Sequence, residues 1–173
     1  MPASYRAPMR KDKQSDRTFS QSSSSNLSAD QADVGKIVAN KGDEVFSIGP
    51  GETLHRAVEV LRDRRIGALL VTDDTGALVG ILSERDIVRK LADTPGKTLP
   101  QLVQDVMTKN VETCTRDEKL ISVLRRMTAG RFRHMPVVDD AKLIGMITIG
   151  DVVNFRLTEL EHETLQLKQL IVG

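Results

Sequence analysis

One phrase is written twice in this chain. "ALLVTDDTGALVGILSERDIV" stands at 68–88 and "HMPVVDDAKLIGMITIGDVV" at 134–153. Gly80 answers Gly145, Ser83 answers Thr148 and Asp86 answers Asp151, each pair 65 residues apart. Upstream, Leu54, Ala57, Val58 and Leu61 fall at the i, i+3, i+4 and i+7 offsets of an amphipathic helix. Leu120, Val123, Leu124 and Met127 repeat that stripe 66 residues later. Earlier still, "VGKIV" at 34–38 is echoed by "VQDVM" at 103–107. A helix stripe, a turn and a polar signature recurring in one order mark an internal duplication.

Each copy reads as a short extended segment, a helix, two strands and a closing helix. The extended segments are "VFSI" and "VETC"; the first helices run near 53–65 and 118–129. The strands are "ALLVT" with "LVGIL", then "MPVVD" with "LIGMI", rich in Val, Ile and Leu and punctuated by Asp and Gly. The second Asp-Asp turn has lost a residue, "DDAKL" against "DDTGAL". The closing helices begin at Ser83 and Thr148. A unit of about 60 residues is marginally stable alone, so two copies packed sheet to sheet are the expected folding unit. The expectation is an α/β fold of two β-α-β-β-α repeats related by a pseudo-two-fold axis, which generates two related clefts. The parts are a Ser-rich disordered tail at 1–32, repeat one at 33–93, a linker at 94–102, repeat two at 103–157 and a helical extension at 158–173. The last helix is expected near 149–171, far longer than its counterpart. Its apolar residues Val152, Phe155, Leu160, Leu167, Leu170 and Ile171 lie either on its own domain or across a dimer.

Composition narrows the function classes. Charged residues make up 28% of the 173, for a net charge of +1, so no global field points to nucleic acid or an anionic membrane. Aromatics are 3%, too few for base-stacking platforms. No apolar run approaches the roughly 20 residues that span a bilayer. The single cysteine, Cys114, fits a reducing compartment and a buried, inert thiol. The first thirty residues have no apolar h-region. Their Arg and Ser echo an organellar transit peptide, against which stand Asp12, Asp16 and the lack of an amphipathic stripe. The expected location is the cytoplasm, with an organelle as the minor alternative.

The polar signatures "SERD" and "TIGD" open the closing helices. Ser or Thr at a helix start with an acid three residues on is a capping box. Here the acid is Asp, where the reciprocal cap favours Glu or Gln, and the upstream glycine lies within a strand, where it marks a close backbone approach. A second reading uses the same geometry. A helix N-terminus presents free N–H groups to phosphate, and a carboxylate there can accept hydrogen bonds from a ribose diol. Ribose plus phosphate means a nucleotide.

The order "V-x-T", amphipathic helix, "R-H-M-P-V-V-D", "L-I-G-M-I-T-x-x-D" resembles the cystathionine-β-synthase (CBS) domain, here as a tandem pair over about 34–157. The resemblance implies an α/β module that binds adenine nucleotides between its repeats and pairs into flat dimers. It implies that Asp86 and Asp151 hold ribose hydroxyls with Ser83 and Thr148 beside them, and that Ser47 and Thr113 lie near the adenine. Copy two carries Arg131, Arg133 and His134 ahead of Met135 and Pro136, where family members often hold phosphate; copy one has Arg65, then Ile66, Gly67 and Ala68. Those arginines read either as a solvated helix end or as a phosphate clamp. Asp151 and Arg133 are paired as ribose and phosphate ends of one cleft. Arg85, from "SERD", and Pro136 complete the candidate set.

His55, His134 and His162 are scattered, without the spacing of a metal site, and no P-loop, G-x-S-x-G or G-x-G-x-x-G motif is present. The expected function is therefore a regulatory sensor, not an enzyme, taking AMP, ADP or ATP, or NAD(H) through its adenosine half. It is expected to be a homodimer that signals to a separate effector protein, with no nucleic-acid or membrane partner. The alternative is a dimeric scaffold that needs no ligand.

Overall fold

The computed structural model describes residues 32–42 and 44–172. The Ser-rich tail lies outside these residues, apart from Ala32. Helix α1 (Val34–Lys41) is followed by β1 (Ser47–Ile48), α2 (Leu54–Arg64), β2 (Ala68–Thr72), β3 (Leu78–Ser83) and α3 (Glu84–Asp93). The second half holds α4 (Val103–Val106), α5 (Leu120–Gly130), β4 (His134–Asp139), β5 (Lys142–Thr148) and α6 (Ile149–Val172). The predicted helix, strand pair and closing helix recur in both halves; each half also opens with a short helix outside the predicted order, and the second lacks a strand to match β1.

The two halves share one topology. Strand β1 runs parallel to β2, and β2 pairs antiparallel with β3, giving the order β1-β2-β3. In the second half β4 pairs antiparallel with β5, and the counterpart of β1 shrinks to one parallel bridge between Cys114 and Val137. The shortened turn closes β4 to β5 through Asp140 and Ala141, both at positive φ, as a two-residue hairpin loop requires. Strand alternation sends Leu69 and Val71 into the helix-covered core, yet Ala68 and Leu70 on the opposite face are also fully buried. A sheet covered on both faces fits the expected face-to-face pairing of the repeats. The Gly67–His134 contact and the bond from Arg85 Nη1 to the Arg131 carbonyl (2.9 Å) join them.

The buried apolar residues form two clusters, and each borrows a helix. Leu54, Ala57, Leu61, Leu69, Val71, Leu82 and Ile87 pack with Val103 of α4. Val123, Met127, Met135, Val137, Ile147 and Val152 pack with Val34, Ile37 and Val38 of α1. Thus α1, first among the described elements, completes the second core, and α4 completes the first. Helix ends are tied across the same exchange: Val34 and Gly35 donate their N–H groups to Glu118 and Arg116 carbonyls, each at 2.9 Å. Leu54 and His55 donate to Gln101 and Leu99 carbonyls at 2.8 and 3.0 Å. These bonds satisfy first-turn donors that a helix cannot satisfy itself. The predicted linker is accordingly docked, with Thr98 buried and its hydroxyl donating to the Thr94 carbonyl at 2.7 Å.

Candidate functional site

Each closing helix starts with a closed reciprocal cap. Ser83 N–H donates to Asp86 Oδ2 at 2.9 Å and its hydroxyl to the same oxygen at 2.5 Å, while Asp86 N–H returns to Ser83 Oγ at 3.3 Å. In the second copy Thr148 N–H donates to Asp151 Oδ2 at 2.8 Å, and Asp151 N–H to Thr148 Oγ1 at 3.1 Å. Both aspartates therefore serve the capping box, short side chain notwithstanding.

The strand glycines are also answered by the chain itself. A Cβ on Gly80 would fall 2.5 Å from Met107 Sδ and 3.1 Å from the Thr108 carbonyl oxygen. Gly145 lies under Val38 of α1, with a less crowded 3.6 Å approach. The close approach that these glycines signalled belongs to the exchanged α1 and α4 segments.

A cleft of about 470 Å³ lies where the copies meet. Ser83, Arg85 and Asp86 at the start of α3 form one wall, and Arg131, Arg133 and His134, running from the end of α5 into β4, form another. Thr108 and Asn110 line it between them. Six candidates are thus brought together, three from each copy. The expected partnership of Asp151 with Arg133 does not form this cleft: the acid facing the cations is Asp86. The cause is topological. The turn before β4 meets the start of α3, the other copy's closing helix, where Arg85 Nη1 donates to the Arg131 carbonyl. Arg89, one helical turn beyond Arg85, also lines the cleft and was missed; its i, i+4 spacing on the polar face of α3 was the available signal.

The other candidates stand elsewhere. Ser47 is exposed in β1, and the Thr113 carbonyl accepts from Arg126 Nη2 at 2.7 Å. Pro136 is buried in β4, and its carbonyl accepts Cys114 N–H at 3.0 Å. Thr148 and Asp151 form their own centre, in which Lys41 Nζ reaches Asp151 Oδ2 at 2.6 Å. Burial pushes the Asp151 carboxyl up, but the Lys41 ammonium and the Thr148 donors outweigh it, leaving the group below its ordinary value. His134 stands between the two centres, paired in register with Thr148 while lining the cleft. Burial, then the Lys41 and Arg133 cations, hold its imidazole below the ordinary value against the pull of Glu84 and Asp151. Burial pushes the Cys114 thiol up to about 12, as expected of an inert cysteine. Among the described residues, no His, Cys, Asp and Glu group could hold a metal ion.

Four guanidiniums against the carboxylates of Glu84, Asp86 and Glu112 give the cleft a cationic excess suited to a phosphate, and the His134 imidazole adds a hydrogen-bonding group. An acid and a hydroxyl at a helix start add acceptors suited to a sugar. The family described as CBS domain matches residues 34–93 and 103–158. The chain belongs to the CBS-domain family. Its similarity to other CBS-domain proteins covers mainly this paired core. The mitochondrial CBS domain-containing protein CBSX3 of Arabidopsis thaliana is 35% identical over 126 residues, 70% of this chain. That match spans 61% of CBSX3, and under a quarter of the Arabidopsis CBSCBSPB proteins that are also similar. The CBS-domain protein ATU1752 of Agrobacterium tumefaciens superposes with a TM-score of 0.71 and 39% identity, covering 72% of this chain and 99% of that one. CBSX2, solved in complex with AMP, superposes with a TM-score of 0.60 and 31% identity over 73% and 96% of the two chains.

Proposed function

We propose that this CBS pair is a regulatory module that binds an adenine nucleotide in the cleft between its repeats. The observation that carries the reading is the convergence of Ser83 and Asp86 from one copy with Arg131, Arg133 and His134 from the other. In this reading Asp86 accepts from the ribose diol through Oδ1, since the bonds given above converge on Oδ2. Arg131, Arg133 and His134 hold the phosphate. AMP is the proposed ligand, supported by the CBSX2 complex; ADP and ATP would extend along the same cations, with Arg85 and Arg89 in reach. Nothing among the residues lining the cleft favours NAD(H) over these.

The mechanism is a population shift. A ligand that touches both repeats biases their relative orientation by its differential affinity for the two arrangements, and a separate effector protein reads the change. The role is non-catalytic, and the module is a homodimer. No helix among the described residues is long and apolar enough to cross a membrane. We place the module in the cytoplasm, with an organelle interior, the setting in the name of CBSX3, as the alternative.

Calorimetry with AMP and adenosine tests the reading. Asp86→Asn keeps an oxygen for the cap and so leaves the melting temperature nearly unchanged, but removes charge-assisted bonds worth on the order of 1.5–3 kcal/mol each. AMP binding should weaken tenfold or more. Arg133→Ala should weaken AMP far more than adenosine. One observation favours a second reading, the scaffold that needs no ligand: both aspartates are already engaged in reciprocal helix caps. A wild type that takes up neither AMP nor adenosine, with an Asp86→Asn protein that melts earlier, would decide for the scaffold.

A further inference from the structure

The two copies differ most where α1 meets the second capping acid. Val34 and Ser47 are 13 positions apart, whereas their counterparts Val103 and Thr113 are 10 apart. The surplus of three is close to one helical turn, and it is built as helix: α1 has eight residues, α4 only four. Up to Val38 and Met107 the copies agree, for each of these side chains covers the strand glycine of the sheet it crosses. Beyond that point α4 stops, but α1 continues through Ala39 and Asn40 to Lys41.

That extra turn ends on Asp151. Lys41 Nζ donates to Asp151 Oδ2 at 2.6 Å and to the Met146 carbonyl at 3.2 Å. The ion pair is half-withdrawn from solvent, at 39% and 26% side-chain exposure, so water screens it only in part. Asp86, the counterpart acid, takes its cap bonds from Ser83 and lines the open cleft.

We propose that the extra turn of α1 is a built-in plug: Lys41, paired with Asp151, neutralises the acid that would take the sugar in the second cleft and limits each chain to one bound nucleotide. This rests on the proposed nucleotide reading of the Asp86 cleft. A ribose diol is neutral, and its hydrogen bonds to a carboxylate are weaker than the bond that the fully charged Lys41 ammonium makes to it. The phosphate end offers little in return, because the copy-one counterparts of Arg133 and His134 are Gly67 and Ala68. The plug and the missing clamp point the same way.

Calorimetric titration of AMP into the full chain tests this by stoichiometry. The wild type and Lys41→Arg, which keeps the ion pair, should bind one AMP per chain. Lys41→Met and Lys41→Gln, which remove the charge at similar length, should bind two. The new site should take adenosine about as well as AMP, since it lacks the clamp. It should survive addition of Asp86→Asn. Two AMP bound by the wild type, or one bound by both uncharged variants, would overturn the plug and leave the first cleft standing. No AMP in the wild type but one in Lys41→Met would support the plug and overturn the nucleotide reading of the Asp86 cleft. No binding in any of them would overturn both.

Discussion

At the scale of single residues, the capping boxes and the cleft use the same atoms. Ser83 and Asp86 close the start of α3 and also face Arg131, Arg133 and His134 across the cleft. A cap that is already closed presents its acid in a fixed rotamer, which suits recognition without reorganisation. His134 gives this arrangement a pH signature. Its folded value lies below the ordinary 6.5, chiefly because it is buried. Above about 6.5 the imidazole is neutral in both the folded and unfolded chain, and its contribution to stability is complete. As pH falls below that value the unfolded chain takes up the proton first, so stability declines until the folded value is passed. The denaturation midpoint of the wild type should therefore drop between about pH 6.5 and the folded value more steeply than that of His134→Gln. Parallel curves for the two proteins would show that the ring is not held neutral.

At the scale of elements, the exchanged helices explain the glycines. Met107 and the Thr108 carbonyl press on Gly80, and a methyl there would fall within 3.1 Å of a backbone oxygen. Gly80→Ala should destabilise by about 1–3 kcal/mol, the usual range for overpacking, read as a shift in denaturant midpoint. Gly145→Ala should cost much less, because Val38 stands at ordinary contact distance. Equal losses would mean that the two crossings are alike. Much of this level was legible in the sequence. The apolar stripes gave α2 and α5 to within two residues, and the Val-rich runs gave β2 to β5 nearly to their ends, because burial on one face imposes a period that residues record directly. The candidate cleft was legible in its residue types, but not in its pairing. The echo of "VGKIV" in "VQDVM" says that two short helices are alike, and nothing local says that each docks on the other copy's core. The meeting of Asp86 with Arg133 has the same character: it follows from chain crossing, which periodicity does not encode. Lys41 was silent for a further reason, since the three-residue surplus that delivers it falls in the weakest part of the repeat.

At the scale of the whole molecule, α6 is longer than its own domain can cover. Val152 is buried in the second core, but Val153, Leu157, Leu160, Leu167 and Ile171 are exposed. With Thr164 they recur every third or fourth residue, the spacing of a seam between two helices. Thr164 turns its hydroxyl back to the Leu160 carbonyl at 2.8 Å, so its polar atom is satisfied within the helix. The seam runs on into an apolar groove of about 230 Å³ that includes Leu120, Ile121, Leu124 and Phe155. An apolar band continuous over two helices has a solvent cost that a second copy of the same helix would relieve. Light scattering of the wild type should accordingly give twice the 19.1 kDa chain mass. Leu157→Lys combined with Leu167→Lys places two ammonium groups in the seam, where pairing would desolvate them, and should give the single-chain mass. Because those leucines lie outside the Asp86 cleft, the doubly substituted chain should keep the AMP affinity of the wild type. A wild-type protein of single-chain mass at micromolar concentration would refute the dimer, and a paired but AMP-blind variant would show that the seam and the cleft are coupled.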